Sequence, residues 1–469
     1  MSIWKLIGSC SLASSGALAA GLLLLMASAQ AQPPTTKYAL TGGMLLDGYE
    51  VPATHHATIL VDGNKIVAVG PASEIKIPPG YTIVDTSGRT MMPGLIEPHA
   101  HLVIVGHGNY FTWFKWLEAH KDKYPIEDVM ALSAKQLLLA GITGAIDLGS
   151  PLKESVDLRE KIKRNELPGP RMLMSGPWII RQNAIFPDYC QIVIKTPEEA
   201  AKATEQLIAG GADVIKAQGG LNYEDLKAIS DTAHQHRVRV HAHLYEETAV
   251  LDAFRAGVDI LQHVGSAGVP PYSESTLKLL ADSGRPVVPT AAHRPFIFPA
   301  TLDFPERLQD PEIKATFPPD MWAEVQDSFK NFHTLGYFQA TDRETIYADR
   351  DVEQFIKAGV VMGMGTDNGT PMNFHADALW REAKVFVDHG LPPIKAISSL
   401  TRINARIMGM QNQIGTIEPG KLADIIVVQG NPLFDITASL SNVEVVMKDG
   451  IIYKGGPAGG AGSRASAAR

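Results

Sequence analysis

The feature that most limits the fold of this chain is a regular alternation of short apolar runs with segments of helical spacing. Residues 91–410 contain eight such runs, separated by stretches such as TPEEAAKATEQLIAGG and NYEDLKAISDTAHQHR. Thr196 and Pro197 form a good N-terminal cap for the first of these two helices. Eight successive β–α units predict an α/β fold of the (β/α)8 TIM-barrel type. The runs are MMPGLIEPHAH, GAIDLG, RMLMSG, ADVIKAQ, VRVHAH, DILQHVG, RPVVPTAA and VVMGMGTD.

Both ends of the mature chain have a different texture. Residues 37–90 contain short apolar runs broken by turn residues, among them Asp62-Gly63, which predicts a hairpin. Residues 411–454 repeat this pattern in KLADIIVVQG and VEVVMKDGIIYKGG. We expect the two segments to form one small β-sandwich domain built from both chain ends. The tail, 455–469, is rich in glycine and alanine and is predicted to be disordered.

The first 31 residues have the pattern of a secretory signal peptide. Lys5 is followed by an apolar stretch and by the A-x-A cleavage pattern at 29–31. The alternative, an uncleaved anchor, is disfavoured because the apolar run is shorter than the roughly 20 residues of a spanning helix. The chain is therefore expected to be periplasmic or secreted. After cleavage only Cys190 remains, which excludes an intrachain disulfide and predicts a buried, inert thiol.

Charge and composition exclude several classes of partner. The formal net charge is −8, and the chain has no dense basic run, so nucleic-acid binding is not indicated. A hydrophobic content of 45% is typical of a globular protein rather than a disordered one. The expected partner is a small-molecule substrate, with no stable membrane anchor. A homo-oligomer is compatible with the sequence.

Polar groups suited to metal binding or proton transfer end five of the eight predicted strands. Taken singly, each has an ordinary alternative: Lys216 as a snorkelling lysine, His263 as a hydrogen-bonded core histidine, Asp367 as a loop cap. Because all strands of a barrel end at the same face, however, these groups are expected to converge there. In chain order they are His99 and His101, Lys216, His241 and His243, His263, and Asp367.

With these motifs the sequence resembles the amidohydrolase superfamily over essentially the whole mature chain. MPGLIEPHAHL looks like its first-strand metal motif, GADVIK like the strand of its carboxylated lysine, and GMGTDNG like its eighth strand. VRVHAH and AGVDILQH are similar to its fifth and sixth strands, and IGTIEPGKLADIIVV to its return to the small β domain. One departure is Glu97, where the family more often has Asp. We expect that side chain to point away from the metal.

The resemblance implies a binuclear centre of two divalent ions, of the zinc type. His99, His101 and Asp367 would hold one ion. His241 and His263 would hold the other, and carboxylated Lys216 would bridge the two. A hydroxide shared by the ions would attack the substrate carbonyl, while Asp367 would take its proton and pass it to the leaving nitrogen.

Two ambiguities stay open at this stage. His241 and His243 have the same strand parity, and we favour His241 as the ligand, with His243 contacting substrate. The stretch from His243 to Glu246 also reads H-x-x-E, as in mononuclear deaminases of the same superfamily, where Glu246 would shuttle the proton. A barrel that binds ligands without catalysis is a third, less favoured class.

The long connections are expected to shape the mouth of the site. The connection after the seventh strand forms either a lid or a helical insertion packed on the barrel side. His293 and Arg294 follow that strand, and Arg294 is a candidate for binding a substrate carboxylate. Aromatic residues in the two connections favour a bulky apolar substrate group: Tyr110, Phe111, Trp113, Phe296 and Phe298. The predicted function is therefore hydrolysis of a C–N amide bond in dipeptides or N-acyl amino acids by an exported, metal-dependent enzyme of the prolidase-like and imidazolonepropionase-related group.

Overall fold

The computed structural model describes residues 36–182, 184, 186–265, 270–292, 306–339, 341–377 and 379–456. The predicted signal peptide and nearly all of the tail predicted to be disordered lie outside these residues and stay predictions. His293, Arg294, Phe296 and Phe298 lie outside them as well. No helix in the described part of the chain is long and apolar enough to cross a membrane.

Strands and helices alternate through the centre of the chain, and strands predominate at both ends. The strands are β1 (Lys37–Thr41), β2 (Met44–Leu45), β3 (Ala57–Asp62), β4 (Lys65–Pro71), β5 (Thr82–Asp85), β6 (Arg89–Pro93), β7 (Leu95–Ala100), β8 (Ile142–Asp147), β9 (Arg171–Met174), β10 (Trp178–Ile180), β11 (Gln191–Val193), β12 (Val214–Ala217), β13 (Arg239–His243), β14 (Ile260–Gln262), β15 (Val287–Val288), β16 (Ile425–Gln429), β17 (Val443–Lys448) and β18 (Ile451–Lys454). The helices are α1 (Tyr110–Ala119), α2 (Ile126–Leu139), α3 (Leu152–Lys163), α4 (Pro197–Ala209), α5 (Tyr223–Gln235), α6 (Glu247–Ala256), α7 (Glu274–Ser283), α8 (Pro311–Ala315), α9 (Pro319–Ser328), α10 (Gly336–Gln339), α11 (Thr341–Ala358), α12 (Leu379–Asp388), α13 (Pro393–Ser398), α14 (Asn404–Ile407) and α15 (Ile436–Leu440).

The two chain ends meet in two sheets. One has the strand order β4-β3-β1-β5, and the other has the order β18-β17-β16-β6-β2. The C-terminal strand β16 pairs antiparallel with β6, with Ile426 opposite Met92. A single apolar cluster contains residues of both sheets, such as Leu40, Ile59 and Val427. The two ends therefore share one apolar core.

The central strands are parallel and form two sheets. One has the order β7-β8-β9, and the other has the order β11-β10-β12-β13-β14-β15. The amide of Asp213 donates to the carbonyl of Met174 (2.8 Å), next to the start of β12. This part of the chain is thus an α/β structure in which single hydrogen bonds connect the parallel sheets.

The predicted eighth strand, VVMGMGTD, is wrong as a strand. It makes isolated parallel bridges only, from Met362 to β15 and from Asn368 to β7. Two of its backbone amides donate to side chains instead of to a neighbouring strand. Met364 donates to Asn404 Oδ1 (3.1 Å), and Thr366 donates to Glu97 Oε1 (3.0 Å). The segment still lies between β15 and β7, which is where the sequence places it.

The first predicted run also differs, because it divides at Gly94. Its beginning, β6, belongs to a sheet of the chain ends, and its remainder is β7. A Cβ on Gly94 would lie 2.1 Å from Thr143 Oγ1, so only glycine fits at this junction. Strands β10 and β11 were not predicted.

The described part of the long connection after β15 is a helical insertion packed on the neighbouring elements. Helix α9 buries Met321, Trp322 and Val325 in the main apolar core. The amide of Gly108 donates to Ser328 Oγ at the end of this helix (2.9 Å). These contacts favour the packed insertion over a lid for helix α9.

Candidate metal centre

Three buried side chains at the ends of parallel strands form a candidate metal site. One ligand atom from each of His99, His263 and Asp367 lies within 4.8 Å of the others. His99 is the fifth residue of β7, His263 directly follows β14, and Asp367 ends the irregular segment beside β7. Two imidazoles and a carboxylate are ligands that a zinc-like ion prefers.

Two further predicted residues lie beside this cluster. His101 Nε2 is 2.9 Å from Asp367 Oδ1, and His99 Nε2 is 3.4 Å from the same oxygen. Lys216 Nζ, at the end of β12, lies 3.3 Å from His99 Nε2. The two imidazoles of the H-x-H motif and the lysine therefore converge on one carboxylate, as strand parity predicts.

Burial favours the uncharged forms of His99, His263 and Lys216. It lowers the pKa values of His99 and His263 well below the ordinary value, which leaves the imidazoles neutral and able to bind a cation. Burial also lowers the pKa of Lys216 to about 7, against the opposing effect of the Asp367 carboxylate. A neutral amine is the form that can react with carbon dioxide.

The backbone is strained where these residues converge. His263, Asp367 and Thr290 all have positive φ angles, of 67°, 58° and 52°. The left-handed region is unusual for any of them and especially costly for a β-branched threonine. Thr290 Oγ1 lies 2.9 Å from His263 Nδ1, so two of the strained residues hold each other. Such strain concentrates at functional sites.

Gln262 connects two of the histidines and couples their tautomers. Its side-chain oxygen accepts from His99 Nδ1 (2.8 Å), and its amide nitrogen donates to His241 Nδ1 (2.9 Å). An amide offers one acceptor and one donor, so the two imidazoles must carry their protons on opposite nitrogens. In the reversed amide orientation the tautomers would exchange. In either case only one of His99 and His241 presents an unprotonated Nε2.

Glu97 is a site residue that sequence reasoning missed. Its Oε1 accepts from the His99 amide (2.9 Å), and its Oε2 accepts from the Thr366 hydroxyl (2.7 Å) and from Asn368 Nδ2 (3.3 Å). Burial raises its pKa to about 8, against the opposing effect of these hydrogen bonds. The carboxyl group thus ties the H-x-H strand to the residues on either side of Asp367. The expectation that it points away from the metal does not follow from strand parity, because residues 97, 99 and 101 have the same parity and share one face of a strand.

A cavity of about 140 Å³ opens beside the cluster. His243 lines it, and its ring centroid lies 4.2 Å from that of His263. His241 does not line the cavity. Its side chain is fully buried, and its Nε2 has no hydrogen-bond partner among the described residues. The lining residues are His101, Ile104, Tyr110, Trp178, Phe186, Lys216, Gln218, His243, Tyr245, His263, Asp367 and Thr370.

The predicted aromatic residues of the first connection divide between the site, the core and the surface. Tyr110 lines the cavity. Trp113 is buried, and its indole donates to the Val103 carbonyl (2.9 Å), so it packs helix α1 onto the core. Phe111 is 49% exposed. Cys190 is buried, as predicted.

Comparison with known proteins shows to which family the chain belongs. The sequence model of the amidohydrolase family matches residues 90–453, and the chain belongs to that family. It is 26% identical to an ochratoxinase of Aspergillus niger over 92% of this chain and 89% of the relative. It is 24% identical to a 5-methylthioadenosine/S-adenosylhomocysteine deaminase of Caldanaerobacter subterraneus subsp. tengcongensis over 87% and 90%. The crystal structure of a Xaa-Pro dipeptidase with methionine in its active site superposes with a TM-score of 0.69 at 25% identity, over 90% of this chain and all of that one.

Family membership makes the protein a metal-dependent hydrolase that acts on carbon–nitrogen bonds of small molecules. Such relatives imply a (β/α)8 barrel, to which the parallel strands and intervening helices of this chain correspond. The buried cluster of His99, His263 and Asp367 fits the divalent ions that the family generally uses.

Proposed function

We propose that the protein hydrolyses the amide bond of N-acyl amino acids or dipeptides with two divalent ions, of the zinc type. The observation that carries the proposal is the convergence of His99 and His101 on Asp367. Lys216 Nζ lies 3.3 Å from His99 Nε2 in the same cluster. Two adjacent cations need an anionic bridge, and a carboxylated lysine supplies one. The parallel strands are proposed to close into the (β/α)8 barrel of the family.

The ligands divide between the two ions as follows. His99, His101 and Asp367 would hold one ion, and His263 with one histidine of β13 would hold the other. Carboxylated Lys216 would supply the anionic ligand between them. The sequence favours His241 for the β13 position. The Gln262 hydrogen bonds favour His243 instead, because His99 and His241 cannot both present a lone pair on Nε2. His241 then supports His99 through Gln262.

When bound, the ions would polarise the substrate carbonyl and lower the pKa of water. The Asp367 carboxylate accepts the proton released from the attacking water and returns it to the leaving nitrogen. Glu97 keeps that carboxylate in place through the residues on either side of it. Gln218 and Tyr245 line one wall of the cavity and contact the substrate there.

A deaminase is the second candidate. It is supported by the 24% identity to a deaminase and by the H-x-x-E spacing of His243 and Glu246. Glu246 is exposed, however, and lines a neighbouring cavity rather than the one beside Asp367. A proton shuttle must reach the reacting atoms, so we favour amide hydrolysis.

The test is a substrate panel on the zinc-loaded protein. N-acyl amino acids, Xaa-Pro and Xaa-hydrophobic dipeptides and aminated heterocycles are incubated separately, and free amino acid and ammonia are assayed. Release of amino acid, abolished by chelator and restored by Zn²⁺, is the expected result. Ammonia from the heterocycles alone would establish the deaminase. Two bound ions without turnover of any compound would establish a ligand-binding barrel.

Export is proposed from the N-terminal sequence alone. The mature chain is expected to begin near Gln32 and to occur in the periplasm or the medium. An intact mass that retains the residues before Ala31 on exported protein would contradict this. A homo-oligomer stays a prediction.

A further inference from the structure

An apolar groove on the surface adjoins the cavity beside the metal cluster. The cavity has a volume of about 140 Å³, below the roughly 300–1,000 Å³ typical of ligand pockets. The neighbouring groove has about 470 Å³ and is lined by Phe111, Phe114, Lys115, Glu118, Phe186 and Pro187. Phe186 lines both spaces, so the two adjoin at this ring.

Aromatic rings in mutual contact lead from a metal ligand to this groove. The ring of His101 lies 5.8 Å from that of Trp178, which lies 4.5 Å from that of Phe186. The Phe186 ring contacts Tyr110 at 4.9 Å and Phe114 at 5.5 Å. Apolar rings in edge-to-face contact therefore lie between the metal centre and the groove, and an apolar group placed beside them would contact aromatic side chains.

Core packing does not explain the outer part of this path. Helix α1 already buries one face through Trp113 and Leu117. On another face, Phe111 is 49% exposed, and Tyr189, whose ring lies 6.5 Å from that of Phe114, is 45% exposed. Lys115 Nζ lies 4.1 Å from the centre of the Phe111 ring and forms a polar rim. Exposed apolar groups with a polar rim mark a binding surface.

The opposite side of the cavity is polar. Gln218, His243 and Tyr245 line both the metal cavity and a second space of about 180 Å³. The second space is also lined by Glu246 and by the backbone of Gly219 and Gly220. We call the groove lined by Phe111, Phe114 and Phe186 the aromatic arm of the site, and the second space, lined by Gln218, His243 and Tyr245, its polar arm.

We infer that the substrate is an amide of an extended aromatic acid with a small amino acid. This inference rests on the proposed function. Gln218 and Tyr245, which line the polar arm, can donate hydrogen bonds to the carboxylate of the amino-acid half. The aromatic acyl half then lies along Trp178 and Phe186 and ends on Phe114 in the groove. Phe114 and Phe186 are the residues that select for this acyl group.

The test compares N-(4-phenylbenzoyl)-L-alanine with N-acetyl-L-alanine on the zinc-loaded enzyme. We expect kcat/KM to favour the phenylbenzoyl compound, and Phe114→Ala to reduce that preference by about tenfold or more while the rate on the acetyl compound is kept. Phe111→Ala changes an exposed position and should fold even if Phe114→Ala does not. We expect it to reduce the preference less than Phe114→Ala. Phe434→Ala, whose side chain is 93% exposed and lies outside the groove, is the matched control and is expected to leave the preference unchanged.

Binding is measured separately by titrating 4-phenylbenzoate into the holoenzyme and into Phe114→Ala. Weaker binding to the variant supports the groove even if no amide is cleaved, in which case the proposed function fails and the groove stands. An enzyme that hydrolyses both alanine amides equally well, and is unaffected by Phe114→Ala, would overturn the groove while leaving the proposed function intact.

Discussion

Glu97 and Thr366 are joined by two hydrogen bonds: the Thr366 amide donates to Glu97 Oε1 (3.0 Å), and the Thr366 hydroxyl donates to Oε2 (2.7 Å). Glu97 lies two residues before His99, and Thr366 directly precedes Asp367. The pair therefore fixes the distance between the H-x-H motif and the carboxylate on which it converges. Residues that hold metal ligands in this way tune the affinity of the site.

Replacing Glu97 is expected to loosen the metal site. Glu97→Gln puts a donor where the carboxyl group accepts hydrogen bonds, and the loss should lower the free energy of unfolding by about 1–3 kcal/mol. The affinity for zinc should fall by about 10- to 100-fold. Chelator competition and urea unfolding measure the two effects, with Glu74→Gln at an exposed position as the control. A variant with unchanged zinc affinity would show that Glu97 has no positioning role.

Separate replacements of His241 and His243 identify the ligand on β13. His243→Asn is expected to reduce the bound zinc from about two ions per chain to about one, because His243 lines the cavity. His241→Asn should keep both ions and bind them somewhat more weakly, since it disturbs only the Gln262 contact to His99. Metal analysis after dialysis measures the content. The reverse pattern would restore His241 as the ligand.

The residues that end the strands could be predicted from sequence, while the contacts that support them could not. His99, His101, Lys216 and Asp367 converge as expected, because alternate side chains of a strand share a face and parallel strands end together. Gln262 holds His99 across 163 positions of the chain, and no local pattern reports such a contact.

The eighth segment shows why the strand prediction failed there. Its apolar pattern is that of a buried strand, and its position between β15 and β7 is as predicted. Strand assignment depends on where the backbone amides donate, and those of Met364 and Thr366 donate to the side chains of Asn404 and Glu97. Those acceptors lie far away in the sequence, so periodicity carries no information about them.

Lys216 is expected to be required for the second ion. Lys216→Ala should lower the zinc content and reduce kcat strongly, and short carboxylic acids should restore part of the activity by replacing the missing carbamate. Lys448→Met is a matched control, because Lys448 is a buried lysine whose ammonium donates to the Gly169 carbonyl, away from the site. Full metal content and full rate in Lys216→Ala would exclude the bridging role.

Asp367→Asn separates proton transfer from binding. The amide keeps an oxygen near the metal and cannot accept a proton, so kcat should fall by about 100-fold or more while KM changes less. Steady-state kinetics at matched zinc content measure both constants. Equal losses in kcat and in substrate binding would mean that Asp367 acts chiefly by holding the site together.

Asp351 on helix α11 should make stability depend on pH. The side chain is buried, neither carboxyl oxygen has a hydrogen-bond partner among the described residues, and burial raises its pKa from 3.8 to about 7. Between these values the folded protein keeps a proton that the unfolded chain releases, so stability falls as the pH rises through this window.

An asparagine side chain cannot ionise, so the variant Asp351→Asn should not lose stability as the pH rises through this window. Its free energy of unfolding is expected to exceed that of the wild type by about 1–3 kcal/mol at pH 8 and to approach it near pH 4. Urea unfolding at both pH values measures the difference, with Glu353→Gln, exposed on the same helix, as the control. If wild type and Asp351→Asn show the same dependence of stability on pH, the Asp351 carboxyl group is ionised in the folded protein, and a cation or water must compensate its charge.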